Sequence, residues 1–398
     1  MEQKTRIKGN VHYVGVNDRN KHRFEALWPL PYGVSYNSYL IDDEMVALVD
    51  TVDICYFEVY LRKIKQVIGE RPINYLIINH MEPDHSGSIR LIKQHYPEII
   101  IVGNKQTFGM IEGFYGVTGE QYLVKEGDFL ALGHHKLRFY MTPMVHWPET
   151  MMTFDETDGV LFSGDGFGCF GTVDGGFLDT RINVDKYWGE MVRYYSNIVG
   201  KYGSPVQKAL QKLGGLPISA ICSTHGPVWT ENIAKVIGIY DRLSRYDADE
   251  GVVIAYGSMY GNTEQMAEAI AEELSAQGVK NIVMHNVTKS HPSYIIADIF
   301  RYKGLIIGSP TYSNQIFPEV EALLSKILLR EVKGRYLGYF GSFAWAGAAV
   351  KRLAEFAEKS KFELVGDPVE MKQAMKDLTY TQCENLARAM ADRLKKDR

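Results

Sequence analysis

Two histidines and two carboxylates fall within six positions in Asn79-His80-Met81-Glu82-Pro83-Asp84-His85-Ser86-Gly87, directly behind the apolar run Ile73-Asn74-Tyr75-Leu76-Ile77-Ile78. Such a run reads as a buried strand, which puts the polar cluster on the loop leaving its C-terminal end. No other feature constrains the fold as tightly, because a strand end holds the loop rigidly and Pro83 fixes its own φ in the middle of it. By alternation His80, Glu82 and Asp84 point one way, while the adjacent His85 reaches a second position. Mixed imidazole and carboxylate donors without thiolate suit iron or manganese, whereas purely imidazole sets lean to zinc or copper. The bland alternative is a surface loop rich in histidine and acid.

Three further ligand candidates follow short apolar runs beside Gly or Pro. His146 comes after residues 137–143, Asp165 after 160–164 and His225 after 218–224. Each alone reads as structural, but the repeated strand-then-ligand arrangement favours a shared metal centre. His80-Met81-Glu82-Pro83-Asp84-His85 resembles the metallo-β-lactamase superfamily signature H-x-H-x-D-H, with Glu82 at the second histidine position. That departure marks the flavodiiron proteins, also called A-type flavoproteins, and His146, Asp165 and His225 match that family's remaining ligand positions.

The chain, 398 residues with 45% hydrophobic and 23% charged residues, is long enough for two or three ordinary globular domains. A net charge of -4 suggests no nucleic-acid partner. No apolar stretch reaches membrane-spanning length and the polar N-terminus leads to no signal region, so a cytoplasmic protein is expected. Cys55, Cys169, Cys222 and Cys383 form no C-x-x-C pair, so no rubredoxin-type, iron–sulfur or zinc-ribbon centre is expected in the chain. All four read as small buried apolar residues.

Residues 11–53 alternate as antiparallel strands. Helical patterns occupy 56–68, 88–95, 186–199, 204–213 and 232–246, with strands at 99–103, 137–142 and within 151–163. Strands carrying helices on their outer faces fit an αββα sandwich, as the resemblance also implies. The polar break Asp247-Ala248-Asp249-Glu250-Gly251 ends this pattern. Beyond it, strands at 252–256, 282–286, 304–308, 335–341 and 362–366 alternate with helices at 264–277, 319–329, 348–360 and 378–395, which indicates a doubly wound parallel sheet. The expected fold is therefore α+β then α/β: a metallo-β-lactamase-like domain over 1–249 and a flavodoxin-like domain over 250–398.

Ser258-Met259-Tyr260-Gly261-Asn262-Thr263 joins the first strand of the second half to its first helix. Hydroxyls and main-chain N–H groups at a helix N-terminus suit a phosphate, although such a turn can also merely cap the helix. It lacks G-x-G-x-x-G and resembles the S/T-x-x-G-x-T loop of flavodoxins. Ser309-Pro310-Thr311-Tyr312-Ser313-Asn314 and Ser342-Phe343-Ala344-Trp345-Ala346-Gly347 follow the third and fourth strands and gather at the switch point of such a sheet. Small residues let the backbone approach a ring system that Tyr312 or Trp345 covers; core filling is the alternative for Trp345. These loops resemble those holding the isoalloxazine of FMN.

The resemblance covers nearly the whole chain. It implies two irons, with Asp165 bridging, His80, Glu82 and His146 on one and Asp84, His85 and His225 on the other. It also implies FMN as electron relay, and reduction of O2 to water, of NO to N2O, or both. Its common electron donor is rubredoxin, with reduced deazaflavin in some members, and a head-to-tail homodimer or a dimer of dimers is expected. Tyr195 and His22 take outer positions by the family pattern. His134 and His135 lie on a Gly-flanked turn without strand-end logic, and His95, His285 and His291 read as surface or cap residues. The competing class is a zinc hydrolase on the same N-terminal fold, with metal-bound hydroxide as nucleophile; Glu82 and a fused flavin domain argue against it.

Overall fold

The structure, a computed structural model, describes residues 4–397. The chain forms two compact units. One comprises the chain up to Tyr195 together with Tyr202–Ser244, the other Ser196–Lys201 together with the chain from Arg245 onward.

In the first unit, one sheet runs in the order Arg6–Lys8, Val11–Tyr13, Tyr39–Ile41, Ala47–Val49, Tyr75–Ile77, Ile100–Gly103, Gln121–Leu123. The second runs Phe129–Ala131, Lys136–Met141, Met151–Asp155, Val160–Gly164, Ala220–Ser223. Their facing sides share one core, in which Val11, Ile41, Val49 and Ile77 join Leu137, Phe139, Phe162 and Cys222. This is sheet-on-sheet packing, and it completes the αββα sandwich with helices such as Phe57–Ile68. That helix buries Phe57, Tyr60, Leu61, Ile64 and Ile68, one stripe at helical spacing. Val160–Gly164 pairs parallel with Ala220–Ser223 and is separated from Lys136–Met141 by one antiparallel strand. The C-terminal ends of all three therefore lie on one edge of their sheet.

The second unit orders its parallel strands Ile282–Asn286, Asp249–Tyr256, Tyr302–Tyr312, Tyr336–Phe343, Glu363–Leu364. In chain sequence this is 2-1-3-4-5, the flavodoxin-like winding. The fifth strand, expected over 362–366, is split: Gly366 turns at φ +70° and Val369–Lys372 resumes beside Tyr336–Phe343.

Several local expectations are corrected. Helix Lys105–Tyr115 was hidden by Gly109 and Gly113, yet Asn104 caps it by accepting from Gln106 N and Thr107 N. Helix Pro292–Arg301 starts on a proline behind His291, whose ring accepts from Ser293 N. Residues 196–201, read with the first half, belong to the second unit because Asn197 Nδ2 donates to Ser293 O (3.0 Å) and Tyr246 OH to Gly200 O (3.2 Å). Cys55 is exposed on a turn, unlike the other three cysteines. His135 is buried, its Nδ1 2.9 Å from Asp155 Oδ2, so the Gly-flanked turn hides a core ion pair.

Candidate metal centre and cofactor cavity

The loop behind strand Tyr75–Ile77 contains a short helical turn, Pro83–Ser86, with Pro83 at its first position. Strict alternation therefore stops at Glu82. Asp84 turns away from His80 and Glu82, and its Oδ2 lies 3.3 Å from His225 Nε2. His80, Glu82, Asp84, His85, His146, Asp165 and His225 are all buried and gather in two adjoining groups.

In one group, His146 Nε2 stands 3.1 Å from Glu82 Oε2, 3.1 Å from Asp165 Oδ2 and 3.4 Å from His80 Nε2. In the other, His85 Nε2 lies 3.2 Å from Asp165 Oδ1 and 3.7 Å from Asp84 Oδ1, and His225 Nε2 lies 3.5 Å from Asp165 Oδ1. Asp165 thus offers one oxygen to each group. Donors held at right angles about 2.1 Å from a common ion stand roughly 3 Å apart, so these spacings fit two ions. The orphaned atoms agree: both oxygens of Asp84, both ring nitrogens of His85 and Nε2 of His225 are buried without hydrogen-bond partners. Buried polar atoms are rarely left so without an unseen ligand.

The groups are braced from outside. His80 Nδ1 meets Glu149 Oε1 at 2.7 Å, and the same oxygen accepts from Met81 N at 2.9 Å. His225 Nδ1 meets Ser35 O at 2.8 Å, and Thr224 Oγ1 donates to Asp165 Oδ1. Asp50 accepts from Asn79 N and Nδ2 at 2.8 and 3.0 Å, fixing the start of the loop. Such outer bonds set the imidazole tautomer and orientation. Burial opposes charge on His85, but Asp84 and Asp165 outweigh it and push its pKa up to about 10. Burial likewise opposes ionisation of Glu82, yet hydrogen bonds from His146 and His80 bring it down to about 2. The cluster holds positive charge tightly, which is what a cation site requires.

Two adjacent tyrosines lie at the end of helix Asp185–Tyr194. Tyr195 is buried against Tyr240, ring centroids 5.0 Å apart, whereas Tyr194 lies 5.8 Å from the His225 ring with a buried hydroxyl that has no hydrogen-bond partner. The helix turns π-helical at Tyr195–Val199, so adjacent tyrosines face different surroundings. His22 is exposed. A groove of about 680 Å³ opens over the centre, with Glu82, Pro83 and Asp84 in its floor and Phe24, Glu25, Ile54 and Phe114 among its walls.

In the second unit a cavity of about 730 Å³ is lined by Met259, Tyr260, Asn262, residues 310–314 and 342–346, and also Gln373 and Ala374. Its size suits a small cofactor. No lining residue is charged. Ser258, Gly261, Thr263, Ser309 and Gly347 are not in the lining, and four of them brace the loops. Ser258 Oγ accepts from Gly261 N (3.2 Å), Thr263 Oγ1 meets Ser342 Oγ (2.9 Å) and Ser309 Oγ accepts from Phe317 N (3.2 Å). Trp345 is 84% exposed and Tyr260 90%, so Trp345 is no core filler and both rings stand free at the mouth. Gln373 and Ala374 went unrecognised because they belong to no phosphate or ring-loop motif.

The profile of the ODP family beta lactamase matches residues 34–226 and that of flavodoxin residues 254–385. The anaerobic nitric oxide reductase flavorubredoxin of Vibrio vulnificus is 32% identical over 363 residues, covering 90% of this chain and 73% of that protein. Its counterpart in Escherichia coli O6:K15:H31 is 31% identical over 364 residues, covering 90% and 76%. Among solved structures, rubredoxin oxygen:oxidoreductase from Desulfovibrio gigas superimposes with a TM-score of 0.95 at 31% identity, covering 98% of both chains. The flavodiiron protein from Giardia intestinalis gives 0.91 at 26%, covering 98% of this chain and 97% of that one. A β-lactamase-type sandwich with a carboxylate-rich metal cluster, followed by a flavodoxin-like sheet, defines a two-centre redox flavoprotein. The chain belongs to the flavodiiron protein family.

Proposed function

We propose that this protein reduces O2 to water, NO to N2O, or both, at a non-haem diiron centre supplied with electrons through FMN. The observation that carries the reading is Asp165, whose two oxygens face two separate imidazole–carboxylate groups. His80, Glu82 and His146 would hold one iron and Asp84, His85 and His225 the other, with the two oxygens of Asp165 available one to each. The cavity between the 258–263, 309–314 and 342–347 loops would hold FMN, with the main-chain N–H groups at the N-terminus of helix Asn262–Ala276 available to a phosphate and Tyr312 or Trp345 to a ring.

When bound, the ferrous pair and the reduced flavin each supply two electrons, and adjacent Lewis-acidic ions stabilise charge developing on oxygen. The protein holds the imidazoles in one tautomer through Glu149 and the Ser35 carbonyl, and it walls the centre in with Phe24, Tyr194 and Trp147. The electron donor is a rubredoxin-type protein or a reduced deazaflavin, and the working unit is a cytoplasmic head-to-tail homodimer, alone or paired into a dimer of dimers. No helix among the described residues is long and apolar enough to cross a membrane.

The test is metal and flavin analysis of the purified protein followed by anaerobic reduction and mixing with each gas in turn. About two irons and one FMN per chain, with rapid reoxidation by at least one gas, are expected. Stoichiometric zinc with hydrolytic activity that survives loss of flavin would sink the reading in favour of a hydrolase.

One ligand is held less firmly than its neighbours. His85 Nδ1 has no hydrogen-bond partner, while the corresponding atoms of His80 and His225 are anchored. His85→Asn is therefore expected to keep most of the iron and lose part of the gas-reducing activity. Iron analysis beside turnover checks this, and iron loss equal to that of Asp165→Asn would make His85 a full ligand.

A further inference from the structure

The chemistry just proposed consumes protons as well as electrons: O2 with four electrons and four protons yields two waters, and two NO with two electrons and two protons yield N2O and water. A buried centre needs a group that reaches both solvent and the reacting space, and the groove walls supply few. Lys21 Nζ is paired with Asp53 Oδ2 at 3.3 Å, and Asp53 also accepts from Cys55 N. Arg90 Nε donates to Tyr115 O at 2.8 Å. The Tyr115 hydroxyl meets Ser86 Oγ at 2.6 Å, and burial raises its pKa. Glu82 and Asp84 belong to the metal cluster.

Glu25 is different. It sits at the tip of the hairpin joining Arg23–Phe24 to Trp28–Pro29, where Glu25 and Ala26 both take left-handed φ values of 48° and 58° and Leu27 N closes the turn on Phe24 O at 2.9 Å. Left-handed residues are uncommon outside glycine, and two in succession are what a tight hairpin turn requires. The residue is solvent-exposed, yet its side chain lines the groove together with Glu82 and Asp84. Its Oε2 accepts from Trp28 Nε1 at 2.9 Å, and it forms no ion pair among the described residues. A carboxyl so placed can take a proton from water on one side and release it into the groove on the other.

We infer that Glu25 is the proton-relay residue of this groove, passing protons from bulk solvent towards the substrate at the metal centre. Desolvation of the carboxyl against the groove wall raises its pKa, more than the Trp28 hydrogen bond lowers it. The relay rests on the proposed gas reduction, so the experiment separates the two. Wild type, Glu25→Gln, Glu25→Asp and, as control, the ion-paired groove residue in Asp53→Asn are reduced and mixed with O2 or NO across a pH series, with iron and flavin contents measured in each. Glutamine preserves the acceptor for Trp28 Nε1 and removes the proton.

Glu25→Gln is expected to keep its iron and its rate of flavin reduction, to lose at least about tenfold in reoxidation rate, and to lose one ionisation from the pH profile. Glu25→Asp should recover part of the rate, and Asp53→Asn should follow wild type. Independently of turnover, infrared titration of the metal-free protein should show a protonated carboxyl that outlasts ordinary glutamates as pH rises and is missing from Glu25→Gln. An unchanged rate and pH profile in Glu25→Gln, no recovery in Glu25→Asp, or a defect that follows Asp53 instead would overturn the relay. A wild-type protein that consumes neither gas would instead remove the function beneath it.

Discussion

Asp165→Asn is expected to bring iron to below about a tenth of the wild-type content and to abolish gas reduction, while FMN stays bound. The carboxylate is fully enclosed, takes a hydrogen bond from Thr224 and lies within 3.7 Å of the Nε2 atoms of His80, His85, His146 and His225. Asparagine matches its volume but carries no charge, and it turns an N–H2 group towards one of the two imidazole groups. Losing an outer partner of a metal ligand costs about 10–100-fold in affinity, and removing an oxygen donor shared by both ions should exceed that range. The flavin should survive because its unit has a separate core, in which Val252, Ile254, Met266, Ile306 and Phe340 pack together. Iron analysis and the flavin absorbance of one preparation check the result. Two irons per chain in Asp165→Asn would disprove the bridging assignment.

Mixing that variant with one unable to hold flavin, altered at Ser258 and Thr263, is expected to restore activity that neither has alone. The rims of the two openings carry unusual apolar exposure. Ile54 and Phe114 are 54% and 52% exposed beside the metal groove, and Tyr260 and Trp345 stand free beside the flavin cavity. Exposed apolar residues concentrated at functional openings mark interaction surfaces, and a two-fold dimer can cover both kinds at once. In the mixed dimer the flavin of the metal-free chain would serve the irons of its partner. With equal amounts and free exchange, half the dimers are mixed and each has one working pair, so about a quarter of wild-type activity should return. Proven exchange without recovery would mean that electrons stay within one chain.

The parts of this molecule that could be read from its sequence are those the backbone period dictates. Apolar runs ending in His80, His146, Asp165 and His225 mark strand ends, and the parallel pairing of Val160–Gly164 with Ala220–Ser223 brings Asp165 and His225 side by side. What stayed hidden depends on tertiary placement. Glu149 follows no strand and reaches His80 across 69 residues, and Ser35 offers only its main chain to His225. Asp84 defied alternation because Pro83 starts a helical turn, and the contact of Tyr194 with the His225 ring carried no signal of its own in the sequence. Glu25 carried no pattern at all; only the hairpin's left-handed tip brings it to the groove.

The ligands come from the ends of four different strands, the earliest at position 80 and the last at 225. No fragment of the sandwich can therefore assemble the centre, and an ion captured there bridges distant parts of the chain as a covalent staple would. Binding that requires the finished fold adds its free energy to that fold. Iron loading should thus raise the melting temperature of the first unit while leaving the flavin-bearing unit where it was. Under iron scarcity the cell would hold a protein whose catalytic half unravels and is degraded first, so that supply of the metal sets abundance of the enzyme as well as its activity.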